Sequence, residues 1–280
     1  MLLILLVLVG AAGAVWSLGD LRWRRRAGKL AAQLEAARQP GEPRCYDERE
    51  LGGLPAPVQR YFKTVLVDGQ GIVTAVRLEQ AGTMNLNEAS PRWKSFTAEQ
   101  RIVTRRPGFV WDARLSFWPG VTVRVHDAYI GGEGVLEAAV FGLMPMARQR
   151  GAGEVARAEL LRYLAEAAWY PTALLPSQGV AWAAIDDRTA RASLRDGDDS
   201  VTLLFRFGAD GLIDRFRADA RARMIGGVMD SAPWEGRFWN YSVSNGLRIP
   251  MSGEVAWILP SGSKPYWRGE VVRLAYELAA

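Results

Sequence analysis

The segment from Phe109 to Phe141, FVWDARLSFWPGVTVRVHDAYIGGEGVLEAAVF, decides the fold class of this chain. Apolar and polar residues alternate on both sides of Pro119-Gly120, which is the period of a strand with one buried face. A proline followed by a glycine marks a turn. The segment therefore predicts an antiparallel hairpin, then a tight turn or bulge at Gly131-Gly132, and then a further strand.

The register of this hairpin depends on the length of its loop. A three-residue loop over 119–121 would place Phe117 opposite Val123 and Ala113 opposite Asp127. We expect a two-residue turn to disturb the alternation, so we favour the longer loop. One face would then be apolar apart from Asp127. The other face would carry Asp112, Arg114, Arg124 and His126.

Asp127 and His126 are the residues of the hairpin best suited to chemistry. A carboxylate among aromatic side chains costs free energy unless it is paired, and burial raises its pKa. Asp127 is therefore predicted to grip a ligand or act as a base, or else to form a salt bridge with a nearby arginine. His126 is the only histidine. It would lie beside Arg114 and Arg124 on the polar face, where we predict it to be solvated.

The strand pattern continues along the rest of the chain. Strands are predicted over 72–86, 93–104, 109–117, 121–130, 135–141, 180–185, 190–195, 201–207, 212–223, 237–244, 247–257 and 266–276. An amphipathic helix over 154–170 interrupts them, and short turns between strands indicate an antiparallel meander. The predicted fold class is α+β: a curved, mostly antiparallel, half-barrel-like sheet with an inserted helix across its concave side.

The N-terminal segment Met1–Gly19 is uncharged and about long enough to cross a bilayer, which predicts a transmembrane anchor. The small residues Ala12-Gly13-Ala14 leave a cleaved signal peptide as the alternative. A basic cluster follows the apolar run: Arg22, Arg24, Arg25, Arg26 and Lys29. The positive-inside rule then predicts a single-pass cell-membrane protein with a cytoplasmic globular domain, the extracytoplasmic orientation being the alternative.

Three parts are therefore expected along the chain. Residues 1–19 would be the anchor, residues 20–53 a basic juxtamembrane helix and linker, and residues 54–280 a single β-rich globular domain. The basic helix would lie on anionic lipid headgroups or serve as a plain stalk.

Charge and cysteine content narrow the classes of function. Without the five basic residues beside the anchor, 30 basic residues balance 30 acidic ones, which argues against a nucleic-acid footprint. Cys45 is the only cysteine, so an intrachain disulfide and a Cys/His zinc site are both excluded. Ser261–Lys264 matches an S-x-x-K pattern but is interpreted as a hairpin loop. We predict no cofactor, metal or catalytic residue.

The leading functional hypothesis is a non-catalytic binding module for a lipid or other hydrophobic ligand. One alternative is a hydrolase that uses Asp127 with Glu133 or Glu166 as an acid/base pair. Another is an envelope scaffold with a filled core and an exposed apolar patch. The candidate ligand-binding residues are Trp111, Asp127, Tyr129, Glu133, Glu166, Trp169, Tyr170, Trp234 and Arg237. Glu159, Arg162 and Glu166 are spaced to form surface ion pairs on the helix, although Glu166 could instead face a cavity.

Eight segments carry a family resemblance: LPAPVQRYF (54–62), FTAEQ (96–100), GFVWDAR (108–114), VRVHDAYIGGEG (123–134), RYLAEAAWYPTALLP (162–176), WEGRF (234–238), GEVAW (253–257) and PYWRG (265–269). Over roughly residues 54–276 the chain resembles a family of uncharacterised bacterial proteins known only as a domain of unknown function. This resemblance implies no activity and no catalytic residue. The strand-rich layout is also similar to the half-barrel of bacterial lipoprotein carriers, an analogy of fold that gives no function by itself.

Overall fold

Thirteen antiparallel strands form one curved, open sheet in the computed structural model, which describes residues 2–88 and 90–279. The strands are β1 (Val73–Asn85), β2 (Trp93–Val103), β3 (Gly108–Trp118), β4 (Val121–Ile130), β5 (Glu133–Val140), β6 (Met144–Gly151), β7 (Ala181–Asp186), β8 (Thr189–Asp196), β9 (Asp199–Phe207), β10 (Ile213–Ile225), β11 (Val228–Ser244), β12 (Leu247–Leu259) and β13 (Gly262–Leu278). The helices are α1 (Leu2–Ala37), α2 (Ala56–Val65) and α3 (Glu154–Glu166), with 3-10 turns at Glu48–Leu51, Ala167–Trp169, Pro171–Leu174 and Pro176–Gln178. The predicted curved antiparallel sheet with an inserted helix is confirmed.

The order of the strands explains how the sheet encloses space. Strands β1 to β6 form a meander that runs outward from the middle of the sheet to one edge, and α3 then carries the chain to the other edge. Strands β7 to β13 return as a second meander, so that β13 pairs with β1. Because α3 connects the two edges, it lies across the inner face of the sheet and packs against both halves.

Side chains also link the two halves of the sheet away from the β1–β13 junction. The Tyr129 hydroxyl on β4 donates to Asp196 Oδ2 at the end of β8 over 2.8 Å. Arg106, in the loop before β3, approaches the other oxygen of Asp196 at 3.3 Å. The far ends of both meanders therefore meet beside α3.

The central hairpin has the predicted faces but a different register. Trp111 pairs with Asp127, and Ala113 pairs with Val125. Pro119-Gly120 forms a two-residue turn, with Gly120 at φ 78°, so the predicted three-residue loop is wrong. The alternation survives because the register shifts between Ser116 and Trp118, where a bulge takes up the extra residue.

Two strand regions were missed by the sequence pattern. Strand β6 is a half-exposed edge strand, and its sequence MPMARQRG does not alternate. Strands β10 and β11 extend to a tight turn at Gly226-Gly227, where the structure has strand in place of the predicted loop. The turn predicted at Gly131-Gly132 is present. The pair Asn245-Gly246, a strong sequence signal for a tight hairpin, also forms a turn, and all four residues have positive φ.

Helix α1 packs against the outer face of the sheet. Leu30 and Leu34 are buried in a small core with residues of β2 to β5: Val103, Val110, Ala128 and Val135. Trp23 is fully buried and stacks on His126 with 4.0 Å between ring centroids. The prediction of a solvated His126 is therefore wrong, because α1 covers the face that the strand pattern marks as polar.

The basic cluster of α1 points away from this contact. Arg22, Arg24, Arg25, Arg26 and Lys29 are exposed, whereas Asp20 forms an ion pair with Arg124 of β4. Gly19 lies against the backbone of Phe141, where a Cβ would have no room. The segment predicted as a juxtamembrane helix is helical, and its apolar side packs against the sheet. Its position beside a membrane stays a prediction.

No helix is long and apolar enough to cross a membrane among the residues that the structure describes. Residues 2–19 of the predicted anchor belong to α1, but the side chains of residues 2–12, 14 and 15 are not described. The anchor stays a prediction.

The main hydrophobic core fills part of the space between the inner face of the sheet and helices α2 and α3. Tyr46 and Leu51 are buried in this core although they precede the predicted domain start at Leu54.

Candidate ligand-binding cavity

A cavity of about 450 Å³ lies between the inner face of the sheet and α3. Its lining is mostly apolar and rich in aromatic side chains, which come from both halves of the sheet and from the segment after α3. These apolar residues include Met84, Trp111, Trp169, Phe216, Met224, Met229, Trp234, Phe238, Trp257 and Trp267. The volume falls within the 300–1,000 Å³ that is typical of small-molecule sites.

The mouth of the cavity lies at one end of the central strands. Its inner wall is formed by buried residues such as Trp111 and Glu159, whereas Glu88, Met224 and Met229 are exposed. These three residues lie beside the β1–β2 loop and the β10–β11 turn. The cavity therefore opens between those two connections.

A row of glycines on adjacent strands makes room for the aromatic wall. Gly82 of β1 pairs with Gly269 of β13, which in turn pairs with Gly253 of β12. The ring of Trp267 occupies the space that a Cβ on Gly269 would need. The missing side chains thus allow large rings to lie flat across the sheet where it borders the cavity.

Arg162 of α3 organises the charged part of the lining. Its Nη1 donates to Asp127 Oδ2 over 2.8 Å, and its Nε donates to Glu166 Oε1 over 2.7 Å. The guanidinium also lies 4.9 Å from the ring centroid of Trp111. Gln100 Nε2 donates to the second oxygen of Glu166 over 2.6 Å. These hydrogen bonds hold the four polar side chains of this part of the site in fixed positions.

Arg221 of β10 lies beside Glu159 of α3 in the wall of the cavity. The Arg221 Nη2 atom is 3.6 Å from Glu159 Oε1, and its Nε donates to the Ala158 carbonyl over 3.0 Å. The guanidinium stacks 4.5 Å from the ring centroid of Trp234. Trp234 Nε1 donates to the Tyr266 hydroxyl over 2.9 Å. Arg221 is thus held in place by the strand side and by the helix backbone.

Burial shifts the protonation of the carboxyl groups. It raises the pKa of Glu159 to about 7, and the negative charge of Asp127 adds to the shift. It also raises the pKa of Asp127, although Arg162 and Arg221 oppose that rise. Burial alone would lower the pKa of Arg162, but Glu166, Asp127 and Glu159 together raise it. Arg162 therefore stays charged, while Glu159 exchanges its proton near neutral pH.

Several polar atoms of this site have no hydrogen-bond partner among the described residues: Gln80 Nε2, Gln100 Oε1, Asp127 Oδ1, Glu159 Oε2 and Trp169 Nε1. Buried polar atoms are normally paired, so such a cluster beside a cavity indicates a place where a ligand or ordered water binds. No group of three or more metal-ligating side chains exists in the part of the chain that the structure describes.

Five of the predicted site residues line the cavity together: Trp111, Asp127, Glu166, Trp169 and Trp234. Asp127 has the predicted arginine partner and also lines the cavity. Its role towards a ligand stays a prediction. Glu166 faces the cavity, which was the alternative to a surface pair.

The other four predicted residues lie elsewhere. The Tyr129 hydroxyl donates to Asp196 Oδ2 at the end of β8, and the Tyr170 hydroxyl donates to the Tyr163 carbonyl over 2.8 Å inside the core. Glu133 is exposed and pairs with Arg150. Arg237 is about half exposed and stacks on Trp239.

The sequence pattern missed Glu159, Arg162 and Arg221, which carry much of the charge in the cavity. Helical spacing predicts that Glu159 and Arg162 form surface ion pairs, but both side chains are nearly buried. One signal was available: a strand that reads ADARARM places Arg221 and Arg223 at alternate positions, as inward residues would be. The segments 234–237 and 266–269, whose sequences alone favour strand starts, lie within strands β11 and β13.

These features define a class: a curved antiparallel sheet with a helix-covered, mostly apolar cavity that contains a buried charge cluster. A family of unknown function (DUF6920) matches residues 52–276, so the chain belongs to that family. The predicted resemblance to an uncharacterised family is thereby confirmed.

Two solved structures resemble the chain in outline. One is a LolA superfamily protein from Nitrosomonas europaea, with a TM-score of 0.35 and 12% identity over 80% of this chain and 94% of that one. The other is a β-barrel-like protein of a second domain of unknown function, DUF1849, from Brucella abortus, with a TM-score of 0.22 and 10% identity over 76% of this chain and 99% of that one. Among curated proteins, none matches this sequence.

Proposed function

We propose that the protein binds a lipid-like, hydrophobic ligand in the cavity between the sheet and α3. The observation that carries this proposal is the cavity itself, with about 450 Å³ of space and a wall of indole, phenyl and methionine side chains. An apolar cavity of this size gains free energy when it takes apolar surface out of water. A scaffold with a filled core does not fit this feature.

We further propose that the cavity opens towards a membrane. A set of exposed apolar side chains, here termed the rim, lies at the turns on the same end of the sheet as the mouth: Leu86, Trp118, Met144, Met146, Met224, Ile225, Val228 and Met229. Apolar patches of this kind mark interaction sites. Gly19 of α1 lies against the β5–β6 turn at this end. The predicted anchor would therefore enter the bilayer beside the rim, with the basic cluster of α1 at the anionic headgroups.

This arrangement would place the globular domain on the side of the membrane that holds the basic cluster. By the positive-inside rule that side is the cytoplasm. A ligand could then pass between bilayer and cavity without crossing water.

The ligand is tested by extraction from the full-length protein, purified in an amphipathic polymer so that no detergent competes. Mass spectrometry of the solvent extract should show a lipid-like molecule in nearly stoichiometric amount. Val125→Phe, which fills the cavity from β4, should lose most of it without loss of thermal stability. Val243→Phe makes the same change at an exposed site on β11 and should keep the ligand.

Absence of any extracted molecule, together with no binding of added phospholipid or fatty acid, would reject the proposal. Equal loss of ligand in Val125→Phe and Val243→Phe would do the same, because the cavity would then not be the site.

A second candidate function is acid/base hydrolysis within the same cavity. Glu133 cannot take part, since it lies outside the cavity, whereas Asp127 and Glu166 are both held by Arg162. Glu159 favours this candidate, because a carboxyl group with a pKa of about 7 can act as a general acid at neutral pH. Release of free acid from an extracted ester ligand by the wild type, but not by Glu159→Gln, would support it.

A further inference from the structure

The cavity holds an unequal set of charges at its inner end. Three carboxylates, Asp127, Glu159 and Glu166, lie there with two guanidinium groups, Arg162 and Arg221. The other charged residues of the lining form their own pairs: Arg223 with Glu88, and Glu254 with Arg268. Arg162 donates one hydrogen bond to Asp127 and one to Glu166, so these two carboxylates already compensate its charge. The ionised cluster therefore carries one excess negative charge.

Two carboxylate oxygens without a hydrogen-bond partner show where a ligand can contact this negative charge. Asp127 Oδ1 and Glu159 Oε2 are buried and have no hydrogen-bond partner among the described residues, and both side chains line the cavity. Only 4% of Glu159 is exposed. Both atoms are carboxylate oxygens, which accept hydrogen bonds when ionised. A ligand that reaches them must donate protons.

Aromatic faces complete the environment of these oxygens. Trp111 and Trp234 already stack on the two arginines, at 4.9 and 4.5 Å from their ring centroids. Trp169 and Trp257 line the same space. Indole faces attract cations, and a carboxylate beside them strengthens that preference. At this end of the cavity an anionic group would instead meet Asp127 and Glu159, because Arg162 and Arg221 are held by protein groups. The third arginine of the lining, Arg223, pairs with Glu88 at the mouth over 2.8 Å.

We infer that the ligand is a single-chain amphiphilic amine, whose ammonium group binds at Asp127 and Glu159 while its apolar chain lies among the tryptophans. This inference rests on the proposed function. The unpartnered Nε1 of Trp169 adds one donor, which suits an oxygen close to the amine.

Proton competition follows from the same geometry. The groups that face Glu159 come from four elements: Asp127 on β4, Arg162 and Glu166 on α3, Arg221 on β10, and Tyr266 on β13. Burial raises the pKa of Glu159 to about 7. Protonation below that pH removes the excess charge, so an ammonium ligand should bind more weakly in mild acid.

The test compares dodecylamine, dodecanol and dodecanoate, below their aggregation limits, by tryptophan fluorescence of the full-length protein. At pH 8 the amine should bind at least about tenfold more tightly than the alcohol. This preference should shrink at pH 5.5, although the amine itself stays protonated because its pKa is near that of lysine, about 10.4. Glu159→Gln should abolish the preference, whereas Glu99→Gln, on the exposed outer face of β2, should keep it.

The possible results distinguish a failure of the amine assignment from a failure of the hydrophobic binding site itself. Equal binding of all three compounds, or tighter binding of dodecanoate, would overturn the amine assignment and leave the hydrophobic site standing. Binding of none of them would overturn both. The pH dependence of the wild type decides the question even where Glu159→Gln does not fold. Tighter binding of lysophosphatidylethanolamine than of dodecylamine would support the amine site and identify a lipid headgroup as its source.

Discussion

Arg162 is the residue on which the inner charge cluster depends. Its guanidinium joins Asp127 of β4 to Glu166 of α3, and only 13% of its side chain is exposed. A buried pair is a weak source of net stability, but removal of one partner leaves the other charge without compensation. The cluster therefore constrains the position of α3 over the sheet more than it stabilises the fold.

Arg162→Leu should lower the free energy of unfolding by about 3–5 kcal/mol, because it leaves Asp127 and Glu166 buried without a cation. Chemical denaturation at pH 8 measures this loss. Arg150→Leu is the matched control: its pair with Glu133 is about half exposed, so its loss should stay below about 1 kcal/mol. Similar values for the two variants would show that the cluster is not effectively buried.

Glu159 gives the stability a pH dependence of known sign. Its pKa rises from 4.5 in the unfolded chain to about 7 in the fold, so the folded state retains a proton that the unfolded state releases. The contribution is fully present below pH 4.5 and is lost as the pH rises through 7. Glu159→Gln has no such group, so its melting temperature relative to wild type should rise by a few degrees between pH 5 and pH 8. Parallel melting curves across this range would contradict the assignment.

At the scale of elements, α1 determines which part of the outer face of the sheet is buried. Strand alternation predicts that Asp112 and His126 lie on the outer face of the sheet. In the structure the two residues pair with each other on that face. The face is nevertheless buried, because Trp23 stacks on His126 and donates to Asp112 Oδ1 over 2.9 Å. Arg38, just beyond the end of α1, pairs with Glu277 at 2.7 Å.

Trp23→Ala should release α1 from the sheet, since it removes the fully buried ring and its hydrogen bond. Hydrogen exchange over residues 19–37 should accelerate at least about tenfold, while β3 and β4 keep most of their protection. Trp16→Ala, at a site 46% exposed, should leave exchange unchanged. Full protection of α1 in Trp23→Ala would mean that Leu30 and Leu34 suffice to hold it.

At the scale of the whole molecule, the order of the strands places the mouth and the rim together. Strands β1 and β13 meet in the middle of the sheet, and both meanders turn at the rim end. Cys45 pairs with Gly71, just before β1 begins, and thus lies at the opposite end. It is exposed and is the only cysteine, so single-site labels can report on either end.

A fluorophore at Met144→Cys, in a Cys45→Ser background, should be strongly quenched by a quencher placed on lipid chains when the protein is reconstituted in vesicles. The same fluorophore on Cys45 of the wild type should be quenched several-fold less, because it faces away from the rim. Equal quenching at both sites would reject the proposed orientation.

Strand periodicity by itself determined the class of the fold and the faces of its central strands. Alternation from Phe109 to Ile130 assigned Trp111 and Asp127 to the inner face, because side chains on a strand point to opposite sides in turn. The turns at Gly131-Gly132 and Asn245-Gly246 were also readable, since few residues other than glycine and asparagine tolerate positive φ.

Only the tertiary structure decided the register, the burial of the polar face and the composition of the site. A bulge beside Phe117 shifted the pairing while preserving the alternation, which no local pattern encodes. His126 is buried because Trp23 of α1, about a hundred residues earlier in the sequence, stacks on it. Glu159 is likewise paired with a distant residue, Arg221 of β10. Period and turn chemistry are local properties of the chain, whereas burial and charge pairing depend on which distant elements meet.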